Sequence, residues 1–300
     1  MANLSAAQLG GLMVPAVSTF TPSGDLDASA FRRNLDAHIA LGMDGVLVGG
    51  SSGESALLDD ADRQQLLGWA RDAVPAGKWL IAGVGSESTR LTIARARDAK
   101  AAGADAVLVI APHYFLKRMT EPALLAHFTA VAEASPIPVL LYNMPAYAHL
   151  VLSPALVHEM ARHPNVIGMK DSAGNLPVLA QYLEAQGDGF KVLTGSGGSV
   201  VPALELGVSG AILAIALYAG RAVRTMVDTW RAGDREAAAA MQQTLTPLAT
   251  DIAGAMGPAG IKAAMTLVGL DGGPPRSPLQ PVHGDELATV RARLQAAGLI

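Results

Sequence analysis

The sequence contains no cysteine, which excludes disulfide bonds and thiolate chemistry. This absence fits a cytoplasmic protein, and that is the location we expect. Lysine and arginine total 22 against 26 aspartate and glutamate residues, so the formal net charge is −4. Because there is no basic excess and no lysine–arginine cluster, a nucleic-acid partner is not expected.

Long apolar runs are also missing. The most apolar windows, such as VSGAILAIALYAG (208–220), fall short of the roughly 18–20 residues that span a bilayer, so no membrane segment is expected. The N-terminus lacks a positively charged start followed by a long apolar core, and no secretory signal is predicted. The seven histidines show neither HxH nor HExxH spacing, and no metal site is predicted.

Half of the 300 residues are apolar, which is enough for a large buried core. Short runs rich in valine, isoleucine and leucine recur, each followed by a longer amphipathic segment. Asp27, Ser88 and Thr120 precede helical patterns, and Gly42 and Gly103 end two of them, as helix caps do. The eight apolar runs cover residues 12–20, 45–50, 79–85, 105–112, 137–143, 165–171, 190–195 and 209–215.

Apolar strands that alternate with helices predict a parallel sheet covered on both faces. Eight such units over about 220 residues favour an α/β fold of the closed (β/α)8 TIM-barrel type. An open doubly wound sheet remains the alternative, because periodicity cannot show closure. Only helical patterns follow the eighth strand. We therefore predict a barrel over residues 1–232 and a C-terminal helical extension, packed on the barrel, over residues 233–300.

One lysine has an unusual place in this pattern. In a barrel the chemistry lies at the C-terminal ends of the strands. Of the six lysines, only Lys170, in NVIGMKDSAGN (165–175), closes a predicted strand. Burial disfavours the charged form of an amine, and Schiff-base nucleophiles are one reason for such a placement. Pairing with a carboxylate such as Asp171 or Glu54 is the structural alternative.

Polar residues end three further strands. Tyr142 closes strand five in LLYNMP and is expected beside Lys170, where a phenol can move protons. A buried tyrosine with a satisfied hydroxyl is the alternative. The turn GGSSGES (49–55) follows strand two and offers hydroxyls and backbone N–H groups to a carboxylate or phosphate. The segment TGSGGS (194–199) follows strand seven, so a phosphorylated substrate or a flavin must also be considered.

The motifs GSSGES, YNMP and GMKDSAGN, in this order and spacing, resemble those of the dihydrodipicolinate synthase / N-acetylneuraminate lyase family. The resemblance covers essentially the whole chain. It implies a pyruvate-type class I aldolase on a (β/α)8 barrel with a C-terminal helical extension, assembled as a homotetramer (a dimer of dimers). The implied partner is a small-molecule 2-oxo acid, and no cofactor is implied.

The resemblance also implies roles for individual residues. Lys170 corresponds to the Schiff-base lysine, and Tyr142 to the tyrosine that relays protons to and from the bound 2-oxo acid. Ser51 and Ser52 correspond to the hydroxyl pair whose loop holds the substrate carboxylate, and Ser51 also takes the place of a relay residue. Tyr114, in APHYF, corresponds to a tyrosine that some members lend across the dimer interface to complete the relay.

Three more positions bear on the substrate. Gly195 and Ile212 correspond to residues that line the 2-oxo acid pocket. Members that condense pyruvate with aspartate semialdehyde carry an arginine where this chain has Tyr147, in YNMPAYAHL. Without that guanidinium, no bidentate grip on a second carboxylate is evident. The sequence KDS (170–172) resembles that of the family branch of aldolases and dehydratases that act on 2-keto-3-deoxy sugar acids or 4-hydroxy-2-oxo acids.

The leading hypothesis is therefore a Schiff-base lyase that cleaves or forms a carbon–carbon bond of such an acid. A dehydratase of a 2-keto-3-deoxy sugar acid would use the same imine and is an alternative, as is a dihydrodipicolinate synthase. A phosphate- or flavin-binding barrel built on residues 194–199 is a remote alternative. A non-catalytic relative that kept the pocket is another.

Overall fold

The computed structural model describes residues 5–300, which contain a closed ring of eight parallel strands. Each strand pairs with the next in chain order, and the eighth pairs with the first. The (β/α)8 TIM barrel predicted from the sequence is confirmed, and the open sheet is excluded. The strands are β1 (Gly11–Pro15), β2 (Gly45–Val48), β3 (Trp79–Gly83), β4 (Ala106–Ile110), β5 (Val139–Asn143), β6 (Val166–Asp171), β7 (Lys191–Thr194) and β8 (Gly210–Ile212).

Helices follow every strand. Asp27 and Ser88 cap the first and third, because their side chains accept the backbone N–H groups of Ala30 and Leu91. Thr120 precedes the fourth helix without such a bond. The helices are α1 (Ala28–Ala40), α2 (Asp60–Ala73), α3 (Thr89–Ala101), α4 (Glu121–Ala134), α5 (Pro145–Ala148), α6 (Pro154–Met160), α7 (Leu176–Leu183), α8 (Val200–Leu206), α9 (Ala216–Arg231), α10 (Arg235–Leu248), α11 (Ala255–Leu267) and α12 (Gly284–Ala296).

The first strand is shorter than its apolar run predicts. It ends at Pro15, whereas the run extends to Phe20. Beyond Pro15 the chain leaves the sheet, and Phe20 forms an isolated antiparallel bridge with Leu26. Val17 and Phe20 are nevertheless buried in the main core. Their apolar character therefore reflects packing of a loop rather than a longer strand.

Strand side chains divide between two cores. Met13, Leu47 and Leu140 belong to a cluster inside the barrel. Val46 and Val48, on either side of Leu47, belong to the larger core formed with the helices. Strands of this kind are buried on both faces, and their sequences are therefore continuous apolar runs rather than alternating ones.

The C-terminal extension begins where the eighth barrel helix ends. Helix α9 ends at Arg231 and α10 begins at Arg235, so the division that we propose, between residues 232 and 233, falls in the turn between them. A π-helical segment, Ala249–Gly254, joins α10 to α11. The extension therefore continues the chain of helices without a separate sheet.

Buried hydrogen bonds attach the extension to the barrel. Gln242 of α10 accepts the N–H of Val201 at 3.0 Å and donates to the carbonyl oxygen of Gly197 at 3.0 Å. The hydroxyl of Tyr218, on α9, donates to the carbonyl oxygen of Leu248 at 2.8 Å. These contacts place the end of α10 beside the loop that follows β7.

Between residues 5 and 300, no helix is both long enough and apolar enough to cross a membrane. The N-terminal segment judged not to be a secretory signal starts in residues 1–4, which lie outside the described range.

Barrel closure depends on the close approach of β8 to β1 at Gly210. A Cβ there would lie 2.4 Å from the carbonyl oxygen of Gly11 and 2.6 Å from its nitrogen. We predict that Gly210→Ala lowers the free energy of unfolding by about 2 kcal/mol, because backbone cannot move aside as a side chain can. Urea unfolding followed by circular dichroism measures this. Gly187→Ala, whose Cβ would meet no atom within 4 Å, is the control. Equal losses in both variants would contradict this view of closure.

Candidate active site

A cavity of about 360 Å³ opens at the C-terminal ends of the strands. Its walls come from the loops after β2, β5, β6, β7 and β8, and from the C-terminal extension. The structure therefore brings together six of the eight residues that the sequence predicts for the site. These are Ser51, Ser52, Tyr142, Tyr147, Lys170 and Gly195.

A second cavity, of about 470 Å³, lies at the opposite end of the barrel. Its lining includes Asp44, Lys78 and Lys191, which stand at or before the starts of strands. It is larger, but it lies away from the strand ends where the reactive side chains gather. Barrel enzymes carry their chemistry at those ends. We therefore place the site in the smaller cavity.

Lys170 and Tyr142 are direct neighbours across β5 and β6, where their Cα atoms are paired in register. Each residue is only 5% exposed. The Lys170 Nζ lies 4.7 Å from the centre of the Tyr142 ring. Two adjacent parallel strands thus hold an amine and a phenol side by side at the floor of the cavity.

The amine of Lys170 has no carboxylate within ion-pair distance among residues 5–300. Both acids that the sequence offers as partners are engaged elsewhere. Glu54 pairs with Lys262, with 2.5 Å between Oε1 and Nζ. Asp171 accepts a hydrogen bond from the side chain of Asn143 at 2.6 Å. The structural alternative for Lys170, a salt bridge, is therefore absent from the described structure.

Asp171 lies behind Lys170 and does not line the cavity. Its Oδ1 accepts from Asn143 Nδ2 and, at 3.3 Å, from the N–H of Ala173. Asn143 in turn accepts the N–H of Leu152 at 3.0 Å. Burial raises the pKa of Asp171, and the hydrogen bonds from Asn143 and Ala173 oppose that shift. This pair ties together the ends of the two strands that carry the phenol and the amine.

Gly195 makes room for the lysine. A Cβ at this position would lie 2.0 Å from the Ser172 Oγ and 2.6 Å from the Lys170 Cε. Ser172 lines the cavity, unlike its neighbour Asp171. In the KDS sequence, therefore, the serine faces the substrate space and the aspartate supports the strand.

The serine turn follows β2 directly. Ser51–Gly53 form one 3-10 turn, and the Ser51 Oγ lies 3.4 Å from the hydroxyl of Tyr142. The first N–H groups of a helical turn have no partner within the turn. The N–H groups and hydroxyls of Ser51 and Ser52 can therefore bind a carboxylate beside the phenol.

Ile212 is not among the residues that line the cavity. It pairs with Met13 on β1 and is completely buried in the cluster inside the barrel. Ala214 and Ile215, just beyond the end of the short strand β8, line the cavity instead. The predicted position thus lies in the layer of side chains within the barrel.

Tyr114 also lies outside the cavity of its own chain. Its side chain is 78% exposed and packs edge-on against Phe115, with 5.0 Å between ring centres. The Oε2 of Glu87 accepts the N–H groups of His113 and Tyr114 and fixes this loop. The Tyr114 phenol is therefore exposed and does not line the cavity of its own chain. Its predicted role through a dimer partner stays a prediction.

Sequence reasoning missed the cavity residues that the extension supplies. Thr250, Ala253, Pro258 and Ile261 line the side opposite the strand ends. Gly257, with φ 56° and ψ −143°, breaks the helix there. A Gly-Pro pair inside a helical pattern marks such a break, and this signal could have pointed to the segment.

The profile of the Dihydrodipicolinate synthetase family matches residues 8–297 of this sequence. The chain belongs to this family. A 4-hydroxy-tetrahydrodipicolinate synthase from Acidiphilium cryptum is 35% identical over 97% of this chain and 99% of its own length. Another from an Exiguobacterium species is 32% identical over 96% of both chains.

Solved structures of the family share the fold. Dihydrodipicolinate synthase from Bacillus anthracis has a TM-score of 0.91 and 29% identity, covering 95% of this chain and 97% of that one. A prophage protein of the same family from E. coli K12, solved in complex with pyruvate, has a TM-score of 0.89 and 30% identity. The alignment covers 97% of this chain and 99% of that protein.

These findings confirm the resemblance and the predicted enzyme class. The protein is a pyruvate-dependent, aldolase-type enzyme of the class I group, which uses a lysine Schiff base.

We predict that Tyr142→Phe slows exchange of the C3 protons of pyruvate with solvent about 100-fold, because the resemblance makes this phenol the proton carrier beside the imine. Nuclear magnetic resonance in deuterated water measures this without knowledge of the second substrate. Tyr182→Phe is the matched control, since that buried hydroxyl donates to Leu152 and lies outside the cavity. Unchanged exchange in Tyr142→Phe would refute the assignment.

Proposed function

We propose that Lys170 is the Schiff-base nucleophile, and that the enzyme cleaves or forms the C3–C4 bond of a 2-keto-3-deoxy sugar acid or 4-hydroxy-2-oxo acid. One observation carries this proposal. A buried lysine without a carboxylate partner among the described residues lies beside Tyr142 at the mouth of the barrel. Lysine is almost never buried without a partner, and a Schiff-base nucleophile is one reason for such a placement.

The chemistry follows from this arrangement. The amine of Lys170 attacks the C2 carbonyl, and water leaves as the imine forms. Loss of the C4 hydroxyl proton breaks the C3–C4 bond and releases an aldehyde, while the bonding electrons move into the imine and leave an enamine. Tyr142 is placed to carry the proton between the C4 oxygen and C3, with Ser51 as its hydrogen-bonding neighbour. Addition of water then frees pyruvate and the amine.

The serine turn binds the carboxylate of the 2-oxo acid in this proposal. Its hydroxyls and N–H groups would supply hydrogen bonds to both carboxylate oxygens, with the carbonyl carbon toward Lys170. The Ser51 hydroxyl would then contact both the carboxylate and Tyr142, so binding and proton transfer share one group.

The scarcity of charged side chains in the cavity supports a substrate whose part beyond the 2-oxo acid group is uncharged. Among the described residues that line the cavity, Lys170 is the only lysine, arginine, aspartate or glutamate. Hydroxyls from Tyr147, Ser172, Ser196 and Thr250 line the remaining space. Burial raises the pKa of Tyr147, which keeps its phenol protonated and able to donate. Hydroxyls of this kind suit a polyol chain, whereas a second carboxylate would find no guanidinium.

The second candidate is the synthase reaction after which the relatives are named. Curated relatives that are 31–35% identical are called 4-hydroxy-tetrahydrodipicolinate synthase. The same imine serves that reaction, and it also serves dehydration of a 2-keto-3-deoxy sugar acid. The three reactions diverge only in what reacts with, or leaves from, the carbons beyond C2.

The phosphate- or flavin-binding alternative has less support. In the loop after β7, the N–H of Gly195 donates to the carbonyl oxygen of Asp171 at 2.6 Å. The N–H of Ser196 donates to the Thr194 hydroxyl, and that of Ser199 to the carbonyl oxygen of Ser196. These three N–H groups therefore already have partners within the protein rather than being directed at an anion.

The homotetramer and the cytoplasmic location stay predictions. Exposed Tyr114 and Phe115 support burial of this loop by a second copy, because large apolar patches on a surface commonly mark interfaces. A dimer would be needed for Tyr114 to complete the relay of another chain.

We predict that borohydride traps pyruvate on Lys170. Mass spectrometry of the digested protein should find the reduced adduct on the peptide that contains this residue, because an unpaired amine attacks the ketone. Lys170→Ala should lose the adduct, and Lys117→Ala, in an exposed loop, should keep it. An adduct that survives in Lys170→Ala would overturn the assignment.

We predict that the wild-type enzyme condenses pyruvate with glyceraldehyde at least 10-fold faster than with aspartate semialdehyde, since the semialdehyde carboxylate has no cation to meet. Tyr147→Arg should narrow or reverse this ratio. Coupled assays of pyruvate consumption give both rates. A wild-type preference for the semialdehyde would instead favour the reaction named for the relatives.

A further inference from the structure

Glu54 and Lys262 form a buried ion pair beneath the loop that carries Ser51 and Ser52. The two side chains are 0% and 1% exposed, and 2.5 Å separates Nζ from Oε1. Lys262 Nζ also donates to the carbonyl oxygen of Pro274 at 2.8 Å. Apolar residues often replace such pairs without loss of stability, so stability alone does not account for it.

The backbone of Glu54 is unusual as well. Its φ of 56° and ψ of 39° lie in the left-handed region, which only one other non-glycine residue of the range 5–300 adopts. Such a conformation persists only where the surroundings fix it. From this position the N–H of Glu54 donates to the carbonyl oxygen of Ser51 at 3.0 Å and closes the serine turn.

Two parts of the extension hold the Glu54 carboxylate. Oε1 contacts Lys262 on α11, and Oε2 accepts the backbone N–H of Arg276 at 2.8 Å. The residues Pro258 and Ile261, also on α11, line the cavity. One helix therefore both closes the cavity and fixes the loop on its far side.

We propose that Lys262 and Glu54 are positioning residues that hold the Ser51–Ser52 loop in the geometry that binds the 2-oxo acid carboxylate. The inference rests on the proposed function, because that function assigns the loop to the carboxylate. It makes the C-terminal extension a working part of the active site, although Lys262 itself does not contact substrate.

The test compares wild-type protein with Lys262→Met and with Lys262→Met/Glu54→Gln, which removes both charges at nearly constant volume. Initial rates of borohydride trapping are measured against pyruvate concentration. We expect the half-saturating concentration to rise at least 10-fold in both variants, while the rate at saturation stays within threefold. Should either variant fail to fold, Glu54→Gln alone serves, since it keeps the shape of the side chain.

The control is Arg71→Met, which removes a partly buried ion pair with Asp105 away from the cavity. It should lower the melting temperature and leave half-saturation unchanged. A merely structural role for Lys262 would give the same result as this control. Half-saturation within twofold of wild type in the folded Lys262 variants would overturn the proposal.

Hydrogen exchange of the backbone amides of residues 51–55, measured without pyruvate, gives a readout that does not depend on the chemistry. We expect faster exchange in the Lys262 variants and wild-type exchange in Arg71→Met. Unchanged exchange would contradict the positioning role. Absence of any adduct in wild-type protein would instead contradict the proposed function, and the exchange data would still decide whether the pair orders the loop.

Discussion

The pairing of β5 with β6 is the interaction on which the site depends. Hydrogen bonds between these strands put Tyr142 opposite Lys170 and Asn143 opposite Asp171. Tyr142 and Lys170 carry the phenol and the amine. The next pair along the strands, Asn143 and Asp171, is joined by a side-chain hydrogen bond of 2.6 Å. Strand register is fixed wherever one face is buried, since a slip of one residue would turn every side chain over. The same hydrogen bonds that pair β5 with β6 therefore set the distance between the reactive groups.

Much of this architecture could be predicted from the sequence, because parallel strands are buried on both faces and their apolar runs stand out. Counting eight runs placed Lys170 at a strand end and Tyr142 next to it. The method failed where an apolar segment was buried without being a strand, as at Phe20. The family resemblance, not the run pattern, implied that Ile212 lines the pocket, whereas the register of the short strand β8 puts it inside the barrel.

The contributions of the extension could not be predicted, because they depend on contacts between residues far apart in the chain. Nothing in the pattern around Glu54 indicates that Lys262 is its partner. Pro258 and Ile261 lie in a segment that reads as an ordinary helix until the backbone at Gly257 turns it toward the cavity. The local sequence pattern thus predicted the strands, the helices and the site residues at the strand ends. The residues of the extension that line the cavity, and the support of the serine loop by Lys262, could be found only from the folded structure.

Two contacts define the proposed site: Lys170 bonds covalently to the 2-oxo acid, and the serine turn holds the carboxylate of that acid. A crystal structure of the protein soaked with pyruvate tests this most directly. We predict continuous electron density from Lys170 Nζ to C2 of pyruvate, with the carboxylate against Ser51 and Ser52. Pyruvate bound without a covalent bond, or bound away from this turn, would contradict it.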